Sequence, residues 1–231
     1  MSEKSEESAA VRVGVFVDWQ NCYRTCRDAF GFRGSGIDGN VKPLLMARML
    51  AKARPEDTTS VLTNLRIYSG RASQHKDPRT YAANRRQFAA WEAADTEVVK
   101  VIARTLDYKL GAAREKGIDV QIAIDLVRST LFHDEHDVAV LVSADTDLLP
   151  ALELIVQERG STAVEVASWK GPHWSPQPLA VDGTSIRQIA LTDAIYQRIK
   201  DTTDYNIAPA PQAPGQPGRY PYGRRPRPKR P

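Results

Sequence analysis

Short apolar runs rich in β-branched residues alternate along this chain with longer segments whose apolar positions recur at helical spacing. "VRVGVFV" (11–17) reads as a strand, and "WQNCYRTCRDAF" (19–30) after it as a helix. Further strands are predicted over 60–70, 96–105, 137–144 and 162–169, and further helices over 41–53, 78–94, 119–132, 147–160 and 192–200. No internal repeat interrupts the alternation. Strands and helices in this order predict an α/β fold, a mainly parallel five-stranded sheet with helices on both faces.

At 231 residues the chain has room for one domain with tails. A hydrophobic content of 42% and a charged content of 26% are those of a soluble globular protein. No run approaches the ~20 apolar residues of a membrane-spanning helix. The first ten residues, "MSEKSEESAA", lack the apolar stretch of a secretory signal. A cytoplasmic location is expected, with no membrane association. Cys22 and Cys26, four apart in a predicted helix, lack a second pair for zinc and read as reduced thiols.

Charge divides the chain further. The formal net charge is +4, but residues 206–231 alone hold six Arg and Lys and no acid, so the basicity belongs to the tail. That segment also carries eight prolines, a composition that cannot offset chain entropy. The predicted organisation is a disordered acidic N-terminus (1–10), a folded body (11–203) and a disordered Pro/Arg-rich tail (204–231). "RYPYGRRPRPKRP" suits RNA contact through phosphate attraction and base stacking, and equally suits solubilisation or a protein partner that reads proline.

Carboxylates stand where a buried strand gives way to a helix. Asp18 ends the first strand in "VFVDWQN", Asp145 and Asp147 follow the fourth in "VLVSADTD", and Asp119 opens a helix after "EKGI". In an open α/β sheet, ligands bind at the carboxyl ends of the strands, where these residues are expected to converge. Each aspartate alone also suits a helix cap. Gathered together, they repel one another unless a cation lies between them, and an oxygen-only donor set without Cys or His selects Mg²⁺ or Mn²⁺. Such a metal generates a nucleophile from water and neutralises a phosphodiester leaving group. Asp125, six residues beyond Asp119, falls about 120° away around the helix and reads either as an outer support of the site or as an exposed residue.

Three ordered segments resemble a known family. "VFVDWQN" is similar to the D-x-x-N motif of NYN domains, "KGIDVQIAIDLV" to their K-G-V-D segment, and "DVAVLVSADTDLLPALELIVQERG" to their S-G-D-S-D-F-x-P block. The resemblance spans about Val11 to Lys200 and implies a Rossmann-like PIN fold with metal-dependent ribonuclease chemistry. Carried over, it implies a metal site of Asp18, Asp119 and Asp145 with Asp147 as a fourth acid. Asn21 would orient Asp18 or a water, Lys116 would reach a phosphate, and Ser143 would donate a hydrogen bond beside the acidic pair. Ala144 stands where the family has Gly, and Leu148 where it has Phe; neither change removes a ligand.

An acidic site needs positive charge around it to hold a phosphate backbone. Two segments offer it: "RASQHKDPRTYAANRR", with Lys76, Arg79, Arg85 and Arg86, and "SWKGPHW", where Trp169, Lys170 and Trp174 combine ring faces with charge. Basic residues on a helix are also an ordinary solvated face, and Trp174 can equally seal a core edge. The four histidines form no triad or zinc spacing.

The expected function is a metal-dependent endoribonuclease acting on single-stranded RNA. A non-catalytic RNA-binding or regulatory module is the alternative, although a pure binder has no use for acids that repel phosphate. A phosphatase reading is disfavoured because Gln20 is not the acid that an aspartyl nucleophile wants two residues on.

Overall fold

A computed structural model describes residues 9–55, 58–109 and 113–208. Of the segments predicted to be disordered, 209–231 of the tail and 1–8 of the acidic N-terminus fall outside the described residues.

The strands are β1 (Val11–Asp18), β2 (Ser60–Arg71), β3 (Val99–Thr105), β4 (Val138–Val142), β5 (Val164–Trp169) and β6 (Arg187–Leu191). They form one sheet in the order β3-β2-β1-β4-β5-β6 with every pairing parallel. The α/β expectation holds, with β6 added as a sixth strand at one edge. The helices are α1 (Trp19–Phe30), α2 (Pro43–Lys52), α3 (Pro78–Ala93), α4 (Ile118–Val127), α5 (Leu149–Arg159) and α6 (Asp193–Ile199). The predicted 119–132 helix is α4 followed by one π-helical turn, Arg128–Phe132.

The period of two along a strand distributes its side chains between two cores. Val13, Val15 and Val17 of β1, Val140 and Val142 of β4, and Ala167 and Trp169 of β5 join α1, α2, α3 and α6 on one face. Phe16, Ala139, Leu141, Val164 and Val166 point the other way, against α4 and α5. Both faces are buried, which is why these strands read as continuous apolar runs rather than alternating ones.

The chain runs β1, β2, β3 toward one edge, then returns to place β4, β5 and β6 on the other side of β1. The loops after β1 and β4 therefore diverge above the sheet and leave a crevice at their carboxyl ends. Val17 pairs with Val142, so the next residues out, Asp18 and Ser143, stand side by side at its floor.

Candidate metal centre

Asp18 serves two elements at once. It closes β1 and caps α1, its Oδ1 accepting the Asn21 N–H at 3.1 Å. Its Oδ2 accepts the Ser143 hydroxyl at 3.1 Å. The same Ser143 oxygen accepts the Asp145 N–H at 3.1 Å, and Asp145 Oδ1 accepts the Asp147 N–H at 3.0 Å. Asn21 closes the ring from α1, its side-chain Oδ1 accepting the Ala144 N–H at 3.0 Å. The loops after β1 and β4 are thus held together by hydrogen bonds between the very residues that carry the acids.

Asp119 comes from a third direction, in the first turn of α4, whose start is set by Gly117 at φ 73°. One carboxylate oxygen from each of Asp18, Asp119 and Asp145 lies within 4.8 Å of the others. Mg²⁺ bonds of about 2.1 Å put the ligands of one ion within about 4 Å of each other. A side-chain adjustment brings this trio to that spacing, and the all-oxygen donor set fits a hard dication.

The electrostatics match. Asp18 is 3% exposed. Burial pushes its carboxyl up to about 7 against the bonds from Asn21 and Ser143, with Asp119 and Glu115 adding repulsion. Asp119 is also raised, by burial first and then by the charges of Asp145 and Asp147. A cation relieves what burial and crowding impose.

The trio lies in a cavity of about 420 Å³ whose walls include Gln20, Asn21, Arg24 and Thr25 of α1 and Ala113, Arg114 and Glu115 of the loop before α4. Glu115 Oε1 accepts the Gly70 N–H at 2.6 Å, which fastens that loop over the end of β2. Burial raises the Glu115 carboxyl, the Gly70 N–H lowers it, Asp119 raises it and Arg24 lowers it. Glu115, Arg24 and Arg114 escaped sequence reading. For Arg24 a signal existed: Asn21, Arg24 and Thr25 sit three and four apart on one helical face that begins at Asp18.

Other expected residues are less central. Asp147 is exposed and stands outside the trio, near enough to Asp119 to disfavour its charge. Lys116 is exposed and does not line the cavity. Lys76, Arg79 and Arg85 are exposed on α3 and the loop before it, away from the cavity walls, while Arg86 donates to the Tyr205 carbonyl at 2.7 Å. Lys170 is exposed beyond β5.

Trp169 corrects an expectation. It is 0% exposed, and its indole N–H reaches Cys22 Sγ at 3.3 Å, so no ring face is free for a base. Trp174 packs half-buried against the same core. Asp125 has a structural occupation: Oδ2 accepts the Tyr68 hydroxyl at 3.1 Å and Oδ1 the Gln121 amide at 3.1 Å.

A doubly wound parallel sheet with carboxylates converging at its switch point defines the class of α/β proteins that bind ligands at strand ends. Within that class this chain belongs to the NYN domain family, a PIN-like nuclease family, whose model matches residues 12–181. A solved structure of a protein of unknown function from Vibrio parahaemolyticus is similar in fold, with a TM-score of 0.53 and 21% identity, covering 81% of this chain and 97% of that one. No curated protein matches the sequence.

Proposed function

We propose that this chain is a metal-dependent endoribonuclease that hydrolyses phosphodiester bonds of single-stranded RNA, with Mg²⁺ or Mn²⁺ as cofactor and the cytoplasm as its location. The observation that carries the reading is the meeting of Asp18, Asp119 and Asp145 within 4.8 Å at the switch point of a NYN-family sheet.

Asp18, Asp119 and Asp145 would hold the ion, which when bound supplies an activated water and neutralises charge on the leaving oxygen. The remaining residues prepare for it. Ser143 and the Asn21 N–H fix both oxygens of Asp18, so this carboxylate pays little further ordering cost on binding. The Asn21 side chain holds the backbone that presents Asp145. Asp147 adds negative charge at the mouth, where it favours a cation's approach. Lys116, Lys76, Arg79, Arg85 and Lys170 remain exposed cations for the outlying RNA backbone, and the basic tail after residue 204 adds long-range attraction.

The test is incubation of end-labelled single-stranded RNA with the purified full chain, with Mn²⁺ and with chelator. Cleavage with Mn²⁺, its loss with chelator, and its loss in the folded double variant Asp18→Asn, Asp145→Asn are expected. Undiminished cleavage by that variant contradicts the assignment, and binding without cleavage in both conditions favours a non-catalytic RNA-binding module.

A further inference from the structure

The cavity in front of the aspartates holds two guanidinium groups that the protein does not use to hold itself together. Arg24, on α1, and Arg114, on the loop before α4, line it from separate elements, and both are exposed. Neither side chain makes a hydrogen bond or ion pair among the described residues.

Of the neighbouring arginines two are hydrogen-bonded, and a third lies against a ring with its Nε unpartnered. Arg27 donates to the Ser35 and Asp38 carbonyls, Arg104 to Gln121, and Arg71 lies over the Tyr81 ring. Arg114 is held in place by its backbone alone, through the paired bonds of its N–H and carbonyl with Asp107 at 2.9 and 2.8 Å. Its backbone is fixed while its head group is left for something else.

Neutralising the acids is a bland explanation that the contacts do not favour. Arg24 lies near enough to Glu115 to favour its charge, yet the two form no ion pair, and the Glu115 oxygen is given to the Gly70 N–H. With a dication on the aspartates, the three Asp and Glu115 still leave a residual negative charge that the two guanidinium groups bring near neutrality, while their N–H donors stay without a hydrogen-bond partner. A phosphate fits what remains, because a guanidinium presents paired N–H donors matched to phosphate oxygens. At about 420 Å³ the cavity is of the size that encloses a small ligand.

We propose that Arg24 and Arg114 form a two-sided grip on the phosphate next to the one presented to Asp18, Asp119 and Asp145. The proposal rests on the ribonuclease reading. It separates from that reading because gripping needs no metal.

The experiment measures fluorescence-anisotropy binding of a labelled single-stranded oligoribonucleotide in chelator, across a salt series. It compares the full-length chain with the double variant Arg24→Gln, Arg114→Gln and with the charge-matched double variant Lys52→Gln, Arg198→Gln, exposed on α2 and α6, as an off-cavity control. The double variant is expected to bind at least tenfold more weakly, with the slope of log affinity on log salt smaller by about 1.4, the value for two lost phosphate contacts on a single strand. Its Mn²⁺ affinity, measured by calorimetry, is expected to stay within twofold of the parent, which shows the metal site intact. An unchanged RNA affinity and salt slope, or a loss no larger than that of Lys52→Gln, Arg198→Gln, overturns the grip even if the parent cleaves RNA. A parent that shows the arginine-dependent binding but never cleaves keeps the grip and overturns the nuclease reading. A parent that binds no oligoribonucleotide in chelator overturns the grip and leaves the nuclease reading to the Mn²⁺ cleavage assay.

Discussion

The Ser143 hydroxyl donates to Asp18 Oδ2 at 3.1 Å, joining residues 125 positions apart in the chain. The bond exists because β1 and β4 are parallel neighbours in register, so Asp18 at the end of β1 and Ser143 just past β4 lie abreast. It also leaves the Ser143 oxygen to accept from Asp145, coupling two prospective ligands through one side chain.

Ser143→Ala is therefore expected to loosen both. Groups that orient metal ligands typically contribute about 10- to 100-fold in metal affinity. Calorimetric titration with Mn²⁺ should register a loss in that range, with a stability change of only about 1 kcal/mol. Unaltered Mn²⁺ affinity would detach Ser143 from the site.

The metal-free protein carries two buried groups with opposite responses to pH. Asp18 titrates near 7 when folded against 3.8 when free, through burial. Its contribution to stability is fully present below pH 3.8 and is lost as pH rises through 7. His136 titrates near 4 against 6.5, again through burial. Its contribution is present above pH 6.5 and lost as pH falls through 4. Between those values the slopes oppose, each at most about 1.4 kcal/mol per pH unit. In chelator, Asp18→Asn should remove one slope, so that its stability to denaturant rises from pH 4 to 6.5 more steeply than the parent's. Parallel profiles for the two proteins would count against the buried ionisations assigned here.

Gly14 explains how His136 can be buried. A Cβ at Gly14 would lie 2.5 Å from His136 Nδ1 and 2.9 Å from its Cγ. The ring fills the second core, edge-on to Phe16, with Thr130 3.0 Å from Nε2. Gly14→Ala is expected to cost about 1–3 kcal/mol by overpacking, measured by urea unfolding. A neutral substitution would mean that the ring has somewhere else to go.

Asp125 belongs to the scaffold rather than to the cavity. Asp125→Asn keeps an oxygen for the Tyr68 hydroxyl and should leave RNA cleavage within about twofold, with a stability loss of about 1 kcal/mol. A collapse of cleavage in a stable Asp125→Asn protein would return this residue to the site.

The features legible in the sequence were those encoded locally. Asp18 and Asp145 each end an apolar run, and strand ends are where a parallel sheet gathers its ligands, so Asp119 at a helix start could be placed with them. The edge strand β6 escaped because only Leu191 in it is buried, leaving no apolar run to read. Trp169 misled because Lys170 beside it is exposed; strand alternation turns the tryptophan into the α1 and α6 core and leaves the lysine outside. Glu115, Arg24 and Arg114 meet only after the loop before α4 folds over the end of β2, a contact made through Gly70 that no spacing along the chain encodes.

The central claim is that three acids remote in sequence share one dication. Isothermal titration of Mn²⁺ into the full-length chain and into the single variants Asp18→Asn, Asp119→Asn and Asp145→Asn tests it without reference to any substrate. Saturable binding by the parent and a loss of at least tenfold in each variant, all still folded, is the predicted result. Equal Mn²⁺ affinity in the parent and in any one of the three variants would contradict the shared site.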